Sequence, residues 1–371
     1  MKRNNISVYL KAGRKAATSY YRFYQFFDKS DAEFTYHLMI PDRKWDSFFP
    51  IAQQPKWKQV YIFFFIYFRV LFNIISDWFR SPDCVVISRC IINKVLPWSY
   101  MFLLNRIKRN GAKIVWDFDD NIIGSEITRK NFDWFSSLAD VIVVGSPLLK
   151  TIVCEKDRNK VILLPTTDGD MHHLVSEEVK KKRLKAYEKV VRFTWVGTFS
   201  TLKYVERVAE AFEEAGRGLA EQGKGLQLTV VCDQELKYSS KNFKLVNIKW
   251  DKQTAISQML SSHVGIMPLE DNESTRGKCG FKLIQYLSVG LPVIGSMVGM
   301  NSMIIKDSVG IGVNELQIES WTRAIVDLVA DSSVWLSLSR NAYKEWEKYY
   351  DYKKILESWN DLLEIIRIEL K

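Results

Sequence analysis

Between residues 264 and 296 the chain reads VGIMPL, then a polar loop, then RGKCGFKLIQYLSVGLPVIGS, and this succession leaves little freedom of fold. VGIMPL has the length and composition of a buried strand, and the polar residues 270–275 separate it from a helix. Gly277 and Gly280 allow close backbone approach, residues 281–289 carry helical spacing, Gly290 suits the position just past a helix end, and Pro292 prevents continuation. Residues 293–295 read as the next strand. Strand, helix and strand at this spacing describe a βαβ unit of a parallel sheet.

On that helix Lys282 and Gln285 lie three residues apart and share a face, whereas Leu283 and Leu287 point elsewhere, towards a core. A helix N-terminus offers N–H groups and a positive dipole end. With Arg276, Lys278 and Lys282 around it, the expected guest is an anion such as a diphosphate. Gln285, about a turn further on, can hydrogen-bond hydroxyls. The plainer reading of the same residues is an ordinary βαβ turn with solvated lysines.

GKCGFKLIQYLSVGLPVIGS resembles the donor-site segment of family 4 glycosyltransferases of GT-B fold. In that family the helix usually ends a Glu-x7-Glu pattern whose second Glu meets the nucleotide ribose. Here Gln285 stands at the second position and Gly277 at the first, and a branch with a K-x-x-E/Q-Y helix is the closer match. The resemblance implies an α/β chain with two Rossmann-like domains, their parallel sheets facing an interdomain cleft. It also implies a nucleotide-sugar donor, no metal or other cofactor, and a retaining reaction.

A chain of 371 residues with 47% hydrophobic content is long enough for two full cores. Cys84, Cys90, Cys154, Cys232 and Cys279 show no paired spacing, which argues for a reducing cytoplasm rather than disulfides or a zinc site. The start, MKRNNISVYLKAG, lacks the apolar stretch of a signal peptide, so an intracellular chain is expected. The net charge of +10 is uneven: residues 1–185 hold 30 Lys and Arg against 19 Asp and Glu, and the remainder 23 against 24. That asymmetry fits a front half that meets an anionic membrane, a phosphate-bearing acceptor or nucleic acid, or one that is simply solvated.

Residues 7–10 read as a first strand, and the loop and helix after it make Arg14, Ser19 and Arg22 candidates for an acceptor phosphate. Residues 60–79, VYIFFFIYFRVLFNIISDWF, are the most apolar part of the chain and almost long enough to cross a bilayer. Arg69, Asn73 and Asp77 draw a polar stripe along them, and Lys56, Lys58 and Arg80 flank them, a pattern for a core helix or for one lying on a membrane. Residues 85–88 are a short strand and 97–109 an amphipathic helix. KIVWDFDDN then places Asp117 and Asp119 on one side of a strand with Asp120 opening the next loop, at the strand end where parallel sheets bind ligands. The D-F-D-D end resembles the same family branch. A carboxylate there, Asp119 or Asp120, could handle an acceptor hydroxyl, or these acids could cap a helix.

After strands at 140–145 and 161–165, a polar stretch containing His172 and His173 reads as an interdomain connection. The pattern restarts at RFTWVGTFSTLKYVERVAEAF, whose turn carries Thr198, Ser200 and Thr201 and resembles the family's G-W-I-G-S-x-S-T, placing Thr198 and Ser200 at the donor diphosphate. Trp250 falls where the family places residues near the nucleobase. The expected domains are 1–170 on the acceptor side, a 171–190 linker and 191–349 for the nucleotide sugar, with a 350–371 helix crossing back to the first. The expected activity is transfer of a sugar to a glycan or polyprenyl-linked acceptor in bacterial surface polysaccharide synthesis, in the cytoplasm, at an anionic membrane surface and without nucleic acid. Two other classes use different residues: a Mg²⁺-dependent phosphotransfer enzyme built on Asp117, Asp119 and Asp120, and a basic nucleic-acid-binding protein.

Overall fold

The computed structural model describes residues 5–91 and 96–368. The expected reading of the first charges, Lys2 and Arg3, and the last three residues of the terminal helix lie outside them. The chain divides into two compact units, Met1–Thr166 with Lys353–Lys371, and Thr167–Tyr352.

The first unit holds strands β1 (Asn5–Ala12), β2 (Glu33–Ile40), β3 (Cys84–Ser88), β4 (Lys113–Phe118), β5 (Val141–Val144) and β6 (Val161–Leu163). All pairings are parallel, in the order β2-β1-β3-β4-β5-β6. The central strands are apolar on both faces because helices cover both; β3 has no exposed residue. The order reverses between β1 and β3, and a doubly wound sheet opens a crevice at such a point, at the carboxyl ends of its strands.

The second unit holds β7 (Val190–Val196), β8 (Gly225–Cys232), β9 (Lys244–Lys249), β10 (Val264–Met267), β11 (Val293–Ser296) and β12 (Gly310–Val313). They pair in parallel in the order β12-β11-β10-β7-β8-β9, the Rossmann order, with its reversal between β7 and β10. The sheet buries Phe193, Trp195, Leu228, Ile266 and Ile294 against Val205, Phe212, Trp321 and Trp335 of its helices. The expected α/β architecture of two Rossmann-like domains is therefore present.

One stretch differs from the sequence reading, and a second, left open there, is resolved in direction. Residues 171–190 are part of the second unit: the Glu177–Tyr187 helix carries a buried Arg183 whose guanidinium donates to the carbonyls of Leu260, Val289 and Met259 at 2.6, 2.7 and 3.2 Å. His172 stacks on Trp346, ring centroids 5.0 Å apart, rather than lying in a solvated connection. Of the stripe on the Lys56–Arg80 helix, Arg69 and Asp77 reach the sheet, while Asn73 is half-buried beside Phe68 and Phe72. Arg69 Nε donates to the carbonyl of Leu38 at 2.6 Å, and buried Asp77 accepts from the Tyr9 hydroxyl at 2.6 Å and lies 3.0 Å from His37 Nε2. The outward face of that helix is aromatic.

Candidate functional site

In the second unit the chemistry gathers at the carboxyl ends of β7 and β10. The turn after β7 passes through Gly197 and Thr198 into the Phe199–Glu221 helix. A Cβ on Gly197 would meet the Trp195 indole at 2.4 Å and Lys282 Cε at 3.0 Å, so glycine lets this turn rest against the indole and the lysine stem. The hydroxyls of Thr198 and Ser200 are 2.9 Å apart, and the N–H of Phe199 donates to Asp233 Oδ1 at 3.2 Å. The Phe281–Ser288 helix starts from Gly280, which takes the left-handed conformation at φ 69°, and no side chain caps it. Lys282 reaches over the Trp195 indole, 5.8 Å from the ring centroid. One turn on, the Tyr286 hydroxyl accepts the N–H of Val196 at 3.0 Å and pins the helix to the end of β7.

Gln285 lies on the same helix, with its Nε2 donating to Asp168 Oδ2 at 2.7 Å. Asp168 is buried and also accepts the Asp170 N–H at 2.8 Å. Its surroundings hold it above the ordinary carboxyl range, because burial outweighs these hydrogen bonds. Arg276 ends a short helical turn, is exposed, and gives two hydrogen bonds of 2.6 and 2.9 Å to Asp271. Lys278 is half-buried and makes no side-chain hydrogen bond or ion pair among the described residues.

In the first unit a charge cluster sits at the carboxyl ends of β1, β3 and β4. Arg22, in the π-helical turn Tyr20–Tyr24, is fully buried and grips both carboxylate oxygens of Asp117; it also donates to the Leu164 carbonyl at 2.5 Å. Burial pushes the Asp117 carboxyl up, and the Arg22 guanidinium opposes that rise. Arg89, held at φ 56°, gives one amino group to Asp119 at 2.7 Å and Asp120 at 2.8 Å. Burial would raise the Asp119 carboxyl, but the Arg89 and Arg22 guanidiniums outweigh it and hold the group below its ordinary range. Lys11, at the end of β1, is drawn below its ordinary range by burial and then by Arg89, and its ammonium lies 5.0 Å from the Phe49 ring centroid.

The structure brings Thr198, Ser200, Lys282 and Gln285 to one end of the second sheet, while Arg276 is occupied by Asp271. Asp119 and Asp120 share Arg89. The three residues expected at an acceptor phosphate do not form one open site. Ser19 and Arg22 are buried, and exposed Arg14 pairs with Asp28 at 2.6 Å and lies 4.5 Å from the Tyr24 ring centroid. The reason for Arg22 is electrostatic: a carboxylate as deeply buried as Asp117 needs a charged partner. Among the described residues no group of three or more His, Cys, Asp or Glu is placed to hold a metal ion, and the three aspartates hydrogen-bond arginines instead. Sequence reasoning passed over Asp168, Arg89 and Tyr286. Their only signals were a TTDGD stretch of connecting composition, one arginine at a strand end, and the Tyr of K-x-x-Q-Y.

An open sheet with its strand order reversing, and a glycine turn and an uncapped helix meeting at the carboxyl ends of its central strands, define the class: a Rossmann-like protein. Residues 190–331 match the sequence profile of the family described as "Glycosyl transferases group 1". The comparison with curated proteins gives no match. Among solved structures the chain is similar to a sucrose-phosphate synthase from Thermosynechococcus elongatus, with 12% identity over 99% of this chain and 100% of that one, TM-score 0.65. A glycosyltransferase from Rickettsia africae also matches at TM-score 0.65, with 12% identity over 100% of both chains. So does Anabaena HepE in complex with UDP-glucose, TM-score 0.65, with 10% identity over 97% of this chain and 99% of that one. At these identities the structures share a fold, and the family profile adds support for glycosyl transfer by a protein of GT-B fold.

Proposed function

We propose that the chain transfers a sugar from a nucleoside-diphosphate sugar to a hydroxyl of a glycan or polyprenyl-linked acceptor, without a metal, in bacterial surface polysaccharide synthesis. The observation that carries this reading is the meeting of the Gly197–Ser200 turn with Lys282 at the start of an uncapped helix, inside the stretch that matches the family profile. In the reaction the bond between the anomeric carbon and the diphosphate oxygen breaks, a new bond forms to the acceptor oxygen, and the acceptor proton passes to the departing diphosphate. Negative charge grows on the departing diphosphate. Lys282, Lys278, the helix dipole and the Thr198 and Ser200 hydroxyls would stabilise it, with Arg276 joining if it exchanges Asp271 for phosphate. Gln285 would hydrogen-bond the ribose, and Asp119 and Asp120 would orient the acceptor hydroxyl. Held low by two guanidiniums, Asp119 suits orientation better than proton abstraction. The similarity to HepE in complex with UDP-glucose makes uridine nucleotides the first donors to try. Retention of anomeric configuration and a cytoplasmic working place complete the reading, the latter supported by five free cysteines.

Titration calorimetry against a panel of nucleoside diphosphates and their sugars tests it. One nucleotide class should bind with no added metal, and Lys282→Ala should weaken that binding by about 1.5–3 kcal/mol, the range for a charge-assisted hydrogen bond. Flat titrations across the panel would sink the proposal.

A further inference from the structure

The Lys56–Arg80 helix carries 25 residues, about 37 Å at a helical rise, yet buries only Ile62, Val70, Ile74 and Asp77. Trp57, Phe64, Phe68, Phe72 and Phe79 recur on its outward side, each 50–76% exposed. Contiguous exposed aromatic surface of this kind marks an interaction site. The helix has the length and hydropathy of a membrane span, but along the chain it lies between β2 and β3 of one sheet, and Arg69 and Asp77 tie its inner side to β2 and β1. Crossing a bilayer would strip it from that sheet. Lying in the interface costs it nothing, because the groups it would bury are already outside.

Charge distinguishes the possible occupants. The Lys56–Arg80 helix and the neighbouring Asp42–Phe48 and Trp98–Arg109 helices hold nine Lys and Arg against three Asp and Glu, and one of those acids is the buried Asp77. The Trp98–Arg109 helix has no acid, presents Trp98 75% exposed, and holds Arg106 5.2 Å from the Phe102 ring centroid. Two copies of so basic a face would repel each other, whereas an anionic lipid surface supplies both the countercharge and a medium for the rings. We infer that this face seats the protein on an anionic phospholipid bilayer, with the Lys56–Arg80 helix lying in the plane of the interface and its aromatic side in the acyl boundary. The inference stands apart from glycosyl transfer, since it is read from lipid binding and not from turnover.

The test is flotation of the full chain with phosphatidylcholine–phosphatidylglycerol vesicles and with pure phosphatidylcholine vesicles. Binding should favour the anionic vesicles and fall with salt. The Phe64→Ser/Phe68→Ser variant should lower the partition coefficient about tenfold or more, with an unchanged melting temperature because neither ring is in the core. Arg106→Glu/Arg109→Glu should reduce binding to the anionic vesicles alone. Absence of flotation, or undiminished binding by the double Phe variant, would overturn the inference. So would a dimer in light scattering that the double Phe variant dissolves, because a second copy would then cover the face.

Discussion

Asp168 carries a buried carboxylate whose only side-chain hydrogen-bond partner among those described above is the neutral amide of Gln285. Its carboxyl is pushed up by burial, so above the ordinary carboxyl range the folded state holds a proton that the unfolded chain has released. Stability therefore falls as pH rises through that window, and at neutral pH the carboxylate is a cost. Such a cost is tolerated at working sites. Asp168→Asn should leave the melting temperature at pH 7 unchanged or higher, while donor affinity falls several-fold as the Gln285 amide loses its fixed orientation. A lowered melting temperature with normal donor affinity, measured by calorimetry, would make Asp168 structural. At this scale the sequence revealed those residues whose chemistry depends on neighbours along the chain. Lys282 and Gln285 share a helix face, and Asp119 and Asp120 end a strand. It concealed Asp168, which lies 117 positions from its partner, and the burial of Arg22 against Asp117, 95 positions away.

Elements were legible where burial on both faces left an uninterrupted apolar run, as in β3, β5 and β10. β2 was not: it edges its sheet, and its alternation of polar and apolar residues leaves no such run. The Glu177–Tyr187 helix hid for a different reason, since it is highly charged and contributes a buried arginine rather than an apolar stripe. On the Lys56–Arg80 helix the polar stripe was visible but its direction was not, because an aromatic face can turn outward when something other than the core receives it. His263 joins several elements at once. Its Nδ1 accepts the Arg192 N–H at 2.8 Å, its Nε2 lies 3.0 Å from the Arg183 carbonyl, and Trp335 Nε1 donates to its own carbonyl at 2.9 Å. Burial pulls its pKa from 6.5 down to about 3. As pH falls below the unfolded value, only the unfolded chain takes up the proton, so stability is lost by up to about 1.4 kcal/mol per pH unit. Chemical denaturation at pH 7 and pH 5.5 should show a loss of about 1 kcal/mol from this group. His263→Gln should be less stable at pH 7 and show a correspondingly shallower dependence; an identical dependence in the variant would remove His263 as the cause.

Across the whole molecule the first unit is made of two separated pieces of chain, with the second unit, Thr167–Tyr352, inserted between them. The Tyr352–Ile368 helix returns to the first unit and buries Trp359 against Phe23 and Phe27, ring centroids 5.9 and 5.3 Å away. Trp359→Ala should cost about 3–5 kcal/mol, and hydrogen exchange should show the loss in peptides of residues 5–166 while those of the second unit keep their protection. Loss of protection shared equally by both units would mean that they unfold as one. The arrangement also sets an order of events during synthesis. Residues 167–352 leave the ribosome as one continuous run, whereas residues 5–166, made earlier, gain the Trp359 contacts of Phe23 and Phe27 only when the last helix has been made. Through that interval the aromatic outer face of the Lys56–Arg80 helix is already in water, a surface through which nascent chains can associate until something covers it.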